Sequence, residues 1–128
     1  GVIAVLLPCT SLYLNKSFAR ARDMIAHGIP VAVATDFNPG SCPSLNIGLC
    51  MTMAYLKYRM TPEEILSAVT INAACAVNRG DTLGTIEPGK KADMVIWNAE
   101  DMEMLCYRMG SNLAGTVIKN GAIVKNNI

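Results

Sequence analysis

Two short apolar runs separated by one helix-length segment constrain this chain more than any other feature. Residues 2–7 (VIAVLL) run without a polar break into Pro8, and residues 31–35 (VAVAT) form a second run just after Pro30. Unbroken runs of this kind are the pattern of strands buried on both faces. Between them, Ser17 is placed to cap a helix over residues 18–27, in which Phe18, Ala21, Arg22 and Ile25 share one face. The stem of Arg22 adds apolar cover to that face. Gly28 supplies a C-terminal stop and Pro30 prevents continuation. His27 falls in the last turn, where an imidazole complements the helix dipole. A helix between two strands favours parallel pairing, because a parallel pair needs a crossover.

Further along, Ser44 is placed to cap a helix over residues 45–59. Thr61-Pro62-Glu63-Glu64 is a helix start: Thr61 caps, Pro62 takes the first helical position, and Glu64 closes a capping box. Ile65, Leu66 and Val69 of that helix turn inward, and Asn72 caps a further short helix ending near Asn78, with Gly80 as its stop. Then the texture changes. Gly84, Pro88, Gly89, Gly110, Gly115 and Gly121 punctuate short β-rich runs at residues 94–97, 116–119 and 122–125. Asn120-Gly121, between the last two, is a strong hairpin signal. Residues 101–109 read either as a loop or as a short helix. The expected class is therefore α/β, with an α/β portion over residues 1–80 and a β portion over residues 81–128. Two parallel strands do not close a sheet, so the first portion is expected to be the last βα units of a larger TIM-like barrel. A start at a strand without an initiator Met is expected of a piece of a longer protein.

Composition narrows the function classes. With 52% hydrophobic residues and a mean hydropathy of +0.31, the 128 residues hold ample core material. A net charge of +1, with basic residues scattered, points to neither nucleic acid nor an anionic membrane as partner. No apolar run reaches the roughly 18 residues of a membrane span. The five cysteines are odd in number and form no CxxC, so buried free thiols of a reducing, cytoplasmic setting are expected.

The second apolar run ends in a carboxylate. In VAVATDFNPGSCPS, Asp36 stands where the strand meets a tight loop containing Asn38, Pro39, Gly40 and Ser41. In parallel α/β folds functional groups gather at that edge of the sheet. A carboxylate there can bind a metal, act as a base, or close an Asx-turn onto the backbone near Asn38, and residue spacing leaves these open. Pro39 fixes its φ, Gly40 widens the accessible backbone, and the loop offers N–H groups, an amide and a hydroxyl to a polar ligand.

VAVATDFNPGSCPSLN resembles the segment around the last barrel strand of the imidazolonepropionase family in the amidohydrolase superfamily. INAACAVN and LGTIEPGKKADMVIWNAED resemble that superfamily's C-terminal signature, where the chain leaves the barrel and enters a small β-sandwich. TDFNPGS is the narrower of these motifs. The resemblance covers nearly the whole chain, as the C-terminal third of such an enzyme. Cys9 stands where a small residue such as Gly or Ala is expected. The resemblance implies hydrolysis of the ring amide of 4-imidazolone-5-propanoate, a small-molecule substrate, to N-formimidoyl-glutamate in histidine breakdown. It implies that Asp36 is a metal ligand and proton acceptor, that Asn38, Gly40 and Ser41 contact substrate, and that the metal is one divalent or trivalent ion, zinc or iron. It further implies that the remaining ligands are histidines upstream, whereas this chain holds one, His27. A homo-oligomer is expected.

Other signals carry less. Residues 84–90 satisfy G-x-x-x-x-G-K, but Lys91 follows where a phosphate loop needs Ser or Thr, and a strand pattern follows where it needs a helix. Glu100, Asp101 and Glu103 read as a solvated loop, and the methionines, Met51, Met53 and Met60 among them, as core filler. Ser11, Ser41 and Ser67 sit in no nucleophile elbow. A rival reading is a non-catalytic module that self-associates through the glycine-rich edges and the hairpin over residues 116–125.

Overall fold

The computed structural model describes residues 1–126. Strand β1 (Ala4–Leu6) leads directly into helix α1 (Pro8–Tyr13), then α2 (Ala21–Ala26), β2 (Val31–Val33), α3 (Ile47–Tyr58), α4 (Pro62–Val69) and α5 (Ile71–Ala76). Strand β3 (Met94–Trp97), helix α6 (Met102–Tyr107), and strands β4 (Ala114–Lys119) and β5 (Ala122–Asn126) follow. No helix among the described residues is long and apolar enough to cross a membrane.

Strands β1 and β2 pair in parallel, Ala4 opposite Val31 and Leu6 opposite Val33, as a crossover requires. The N–H of Ala34 continues the ladder to the Leu6 carbonyl at 3.1 Å. Helices α2, α3, α4 and α5 all pack on β2, and Val31, Ala32 and Val33 are fully buried. Burial on both faces, expected of both runs, fails for β1: Leu6 is buried, but Val5 is half exposed and Val2 is 88% exposed. The reason is topological. Among the described residues β1 pairs only with β2, so its other edge and part of its face have no cover.

Three expected caps move. Helix α2 starts after Arg20 with no side-chain cap, so Ser17 caps nothing there. Asn46, not Ser44, caps α3 by accepting from the Leu49 N–H at 3.2 Å; Ser44 Oγ instead accepts from the Asn46 N–H. Helix α5 starts after Thr70, which leaves Asn72 inside it, donating to the Val31 carbonyl at 2.8 Å. Inside the helix the Asn72 amide serves the strand backbone rather than the helix end. Residues 101–109 resolve into α6, capped by Asp101.

The capping box of α4 forms as expected, and Glu64 does more than close it. Its carboxylate accepts the Thr61 N–H at 2.8 Å and a two-pronged bond from the Arg22 guanidinium at 2.6 and 2.7 Å. Helices α2 and α4 are thereby tied together at a partly exposed edge. The guanidinium holds the Glu64 carboxyl below the usual glutamate range. A folded-state pKa below the unfolded one stabilises above the unfolded value, near 4.3, and is lost as pH falls through the folded one. Glu64→Gln keeps a capping acceptor but removes the charge. Because the pair is partly exposed, a loss of about 1 kcal/mol at neutral pH is expected. Thermal midpoints of parent and variant should converge between about pH 5 and 3.

The core carries a group of thiols. Cys9, Cys42 and Cys50 are buried, and the Cys50 thiol donates to Cys9 Sγ at 3.2 Å. That donation, with burial, pushes the Cys50 thiol far above its ordinary value. Met51, Met53 and Met60 are core filler as expected. Cys75 departs from the expectation of buried thiols, because it lies on the exposed side of α5.

Strands β3, β4 and β5 form an antiparallel sheet in that order. Asn120 and Gly121, at φ +50° and +80°, make the tight turn between β4 and β5. Asp93 holds this turn against the start of β3, pairing with Lys119 and accepting the Asn120 N–H at 2.8 Å. The chain between α5 and β3 contains no helix. In it, Gly84 lies at φ +98°, and an added Cβ would sit 2.7 Å from Ile71 Cα. That contact meets backbone and cannot be relieved by a rotamer change, so Gly84→Ala is expected to destabilise by about 3 kcal/mol in denaturant titration.

Candidate active site at the end of β2

Parallel pairing places the loops that follow β1 and β2 on one edge of the sheet, so α1 and the Asp36 loop meet there. The chain leaves β2 through Asp36, whose φ of +55° is left-handed. Aspartate tolerates that region better than most residues, at a cost of about 1 kcal/mol.

The Asx-turn, one of the readings left open for Asp36, is made by Asn38 instead. Asn38 Oδ1 accepts the N–H groups of Gly40 and Ser41 at 2.9 and 2.8 Å. Its Nδ2 donates to the Asp36 carbonyl and to Ser41 Oγ, both at 2.7 Å. Its backbone exchanges two hydrogen bonds with Cys42, at 3.0 and 3.1 Å, and Cys42 is buried. The amide of Asn38 is thus spent on building the loop.

This frees the Asp36 side chain from the backbone. Ser41 Oγ already accepts from Asn38, so its own proton goes to Asp36 Oδ2, at 3.2 Å. Thr10 Oγ1 donates to the same oxygen at 3.0 Å. Among the described residues no protein donor meets Oδ1, and the residue is exposed. Asp36, Asn38, Gly40 and Ser41 therefore form one site, with Asp36 and the Gly40 backbone at its surface.

Thr10 was not legible as part of this site. Pro8 reads as a strand stop, whereas it is the first residue of α1, where its missing N–H costs nothing. Recognising proline as a helix start would have placed Thr10 beside the strand end.

His27 stands before β2, at the end of the strand away from Asp36. Its Nδ1–H donates to the Asp23 carbonyl at 2.7 Å, which fits a helix-capping role. Among the described residues no three His, Cys, Asp or Glu side chains are grouped to hold a metal. Asp36 suits a hard or borderline metal as one oxygen donor of a larger set. A cavity of about 280 Å³ lined by Ile29, Val31, Met60 and Asn72 also lies at the far end of β2.

A carboxylate loop at the C-terminal edge of a parallel strand is where enzymes of parallel α/β folds build their sites. The chain matches the model of the amidohydrolase family over residues 1–124, and it belongs to that family. It is 56% identical over 122 residues to the imidazolonepropionase of Bacillus cytotoxicus, a match covering 94% of this chain and 29% of that protein. The chain thus spans about 29% of the length of that curated relative. Its fold superposes on an adenosine deaminase from Xanthomonas campestris with bound zinc, at TM-score 0.88 and 24% identity, over 99% of this chain and 33% of that one. That likeness shows the fold alone. An atrazine chlorohydrolase from Arthrobacter aurescens complexed with zinc superposes at TM-score 0.87 and 25% identity, over 99% and 32%.

Proposed function

We propose that this chain is the C-terminal part of a cytoplasmic, metal-dependent imidazolonepropionase. Residues 1–80 would be the closing βα units of its (β/α)8 barrel, and residues 81–128 a segment of a small β-sandwich. The full-length protein would hydrolyse the ring amide C–N bond of 4-imidazolone-5-propanoate to N-formimidoyl-glutamate, in histidine breakdown. The observation that carries this is the 56% identity to an imidazolonepropionase over 94% of the chain.

Asp36 would be the one metal ligand this chain contributes, with zinc or iron as the ion and the other ligands outside the chain. Such an ion, when bound, lowers the pKa of a coordinated water toward about 7. Asp36, anchored through Oδ2, accepts the proton of the attacking water and delivers it to the ring nitrogen as the C–N bond breaks. The loop, held by Asn38, would present the Gly40 carbonyl and the remaining lone pair of the Ser41 hydroxyl to donors of the polar ring.

Full-length protein incubated with 4-imidazolone-5-propanoate should consume it and yield N-formimidoyl-glutamate. No turnover of this substrate, alongside turnover of an amino-substituted ring with release of ammonia, would move the assignment to a deaminase branch of the family.

A further inference from the structure

We propose that Thr10 is a positioning residue for the Asp36 carboxylate: its hydroxyl fixes Oδ2 so that Oδ1 is presented to the metal ion and the reacting water. This rests on the reading of Asp36 as a metal ligand.

Neighbouring residues of α1 take different partners. Cys9 receives the Cys50 thiol at 3.2 Å, and Thr10 donates to Asp36 at 3.0 Å. Successive helical side chains diverge by about 100°, which is why neighbours in sequence serve different elements. Cys50 belongs to α3, on which α1 packs. The residue before Thr10 thus helps hold α1 against α3 and set where the Thr10 hydroxyl stands.

The second donor to Oδ2 differs in kind. Ser41 lies in the Asp36 loop itself and moves with it, through Asn38. Thr10 is 26 residues away and reaches the carboxylate from another element. Among the described residues it is the one side chain outside the loop that bonds this carboxylate. An exposed aspartate otherwise turns freely about its side-chain bonds. Two donors on one oxygen remove that freedom and leave the other oxygen facing outward. Ligating carboxylates are commonly oriented by such outer hydrogen bonds, and their loss weakens metal binding.

The test uses the full-length enzyme with Thr10→Val, Thr10→Ala, Thr10→Ser and Asp36→Ala. Zinc affinity is read by competition with a chelator, and kcat and KM are read on imidazolone propanoate. Thr10→Val should lower zinc affinity and kcat about tenfold each, with KM unchanged, and Thr10→Ser should restore both. Thr10→Ala repeats the hydroxyl deletion should the valine variant fold poorly. Parent-like zinc affinity and kcat in folded Thr10→Val or Thr10→Ala would overturn the proposal. So would Thr10→Ser impaired as much as Thr10→Val, which would make methyl packing the cause. Undiminished zinc affinity in Asp36→Ala would overturn the metal-ligand reading itself, and the role of Thr10 with it. Loss of zinc in Asp36→Ala but not in Thr10→Val or Thr10→Ala would sink only the latter.

Discussion

Asp36→Ala in the full-length enzyme is expected to lower turnover by at least about a hundredfold, the usual scale for losing a proton acceptor or a metal ligand. The fold should survive, because the carboxylate supports nothing behind it. Its contacts are the hydroxyls of Thr10 and Ser41, and the loop's backbone is closed by Asn38 and Cys42 without it. Alanine does not remove the left-handed backbone at this position, so Asp36→Gly is a useful companion that relieves φ while deleting the same oxygens. Both variants should keep the parent's circular dichroism and lose activity together. Near-normal turnover in Asp36→Ala with its metal retained would refute the assignment.

Expressed alone, the 128-residue chain is expected to be inactive on imidazolone propanoate and to bind zinc weakly. Catalytic zinc takes about three protein ligands with an open fourth position. On the proposed reading Asp36 would supply one, and His27 is committed to the Asp23 carbonyl at the other end of β2. The isolated chain should also associate with itself, since among the described residues β1 pairs on one side only, beside the exposed side chains of Val2 and Val5. Isothermal titration with zinc, steady-state assay and analytical ultracentrifugation of the purified chain check the three points. Tight one-to-one zinc binding by the monomer would show that the chain holds a complete site.

Elements with strong local chemistry were legible. The capping box at Thr61 and Glu64, the Asn120-Gly121 turn and the parallel βαβ order each follow from a short-range rule, and the structure bears all three out. What failed depended on longer range. Arg22 read as an apolar stem, yet its guanidinium reaches Glu64, 42 residues on, which no pattern within α2 encodes. Asn72 has the chemistry of a cap, but a strand carbonyl lies nearer. Residues 2–7 have the composition of a doubly buried strand, while burial depends on which neighbours are present. In the site, Asp36 was marked by its place at a strand end, and the division of labour with Asn38 was not. Aspartate and asparagine side chains can both close an Asx-turn, so residue type alone does not say which of the two is spent on the backbone.

That division has a consequence for how such a loop changes over time. The hydrogen bonds that turn the backbone of residues 38–42 are made within the loop. The turn's shape therefore travels largely with its own sequence, and substitutions in the surrounding helices can retune the pocket without rebuilding it. The carboxylate's aim does not travel with it: a graft of this loop onto another parallel strand would also need a hydroxyl where α1 places that of Thr10.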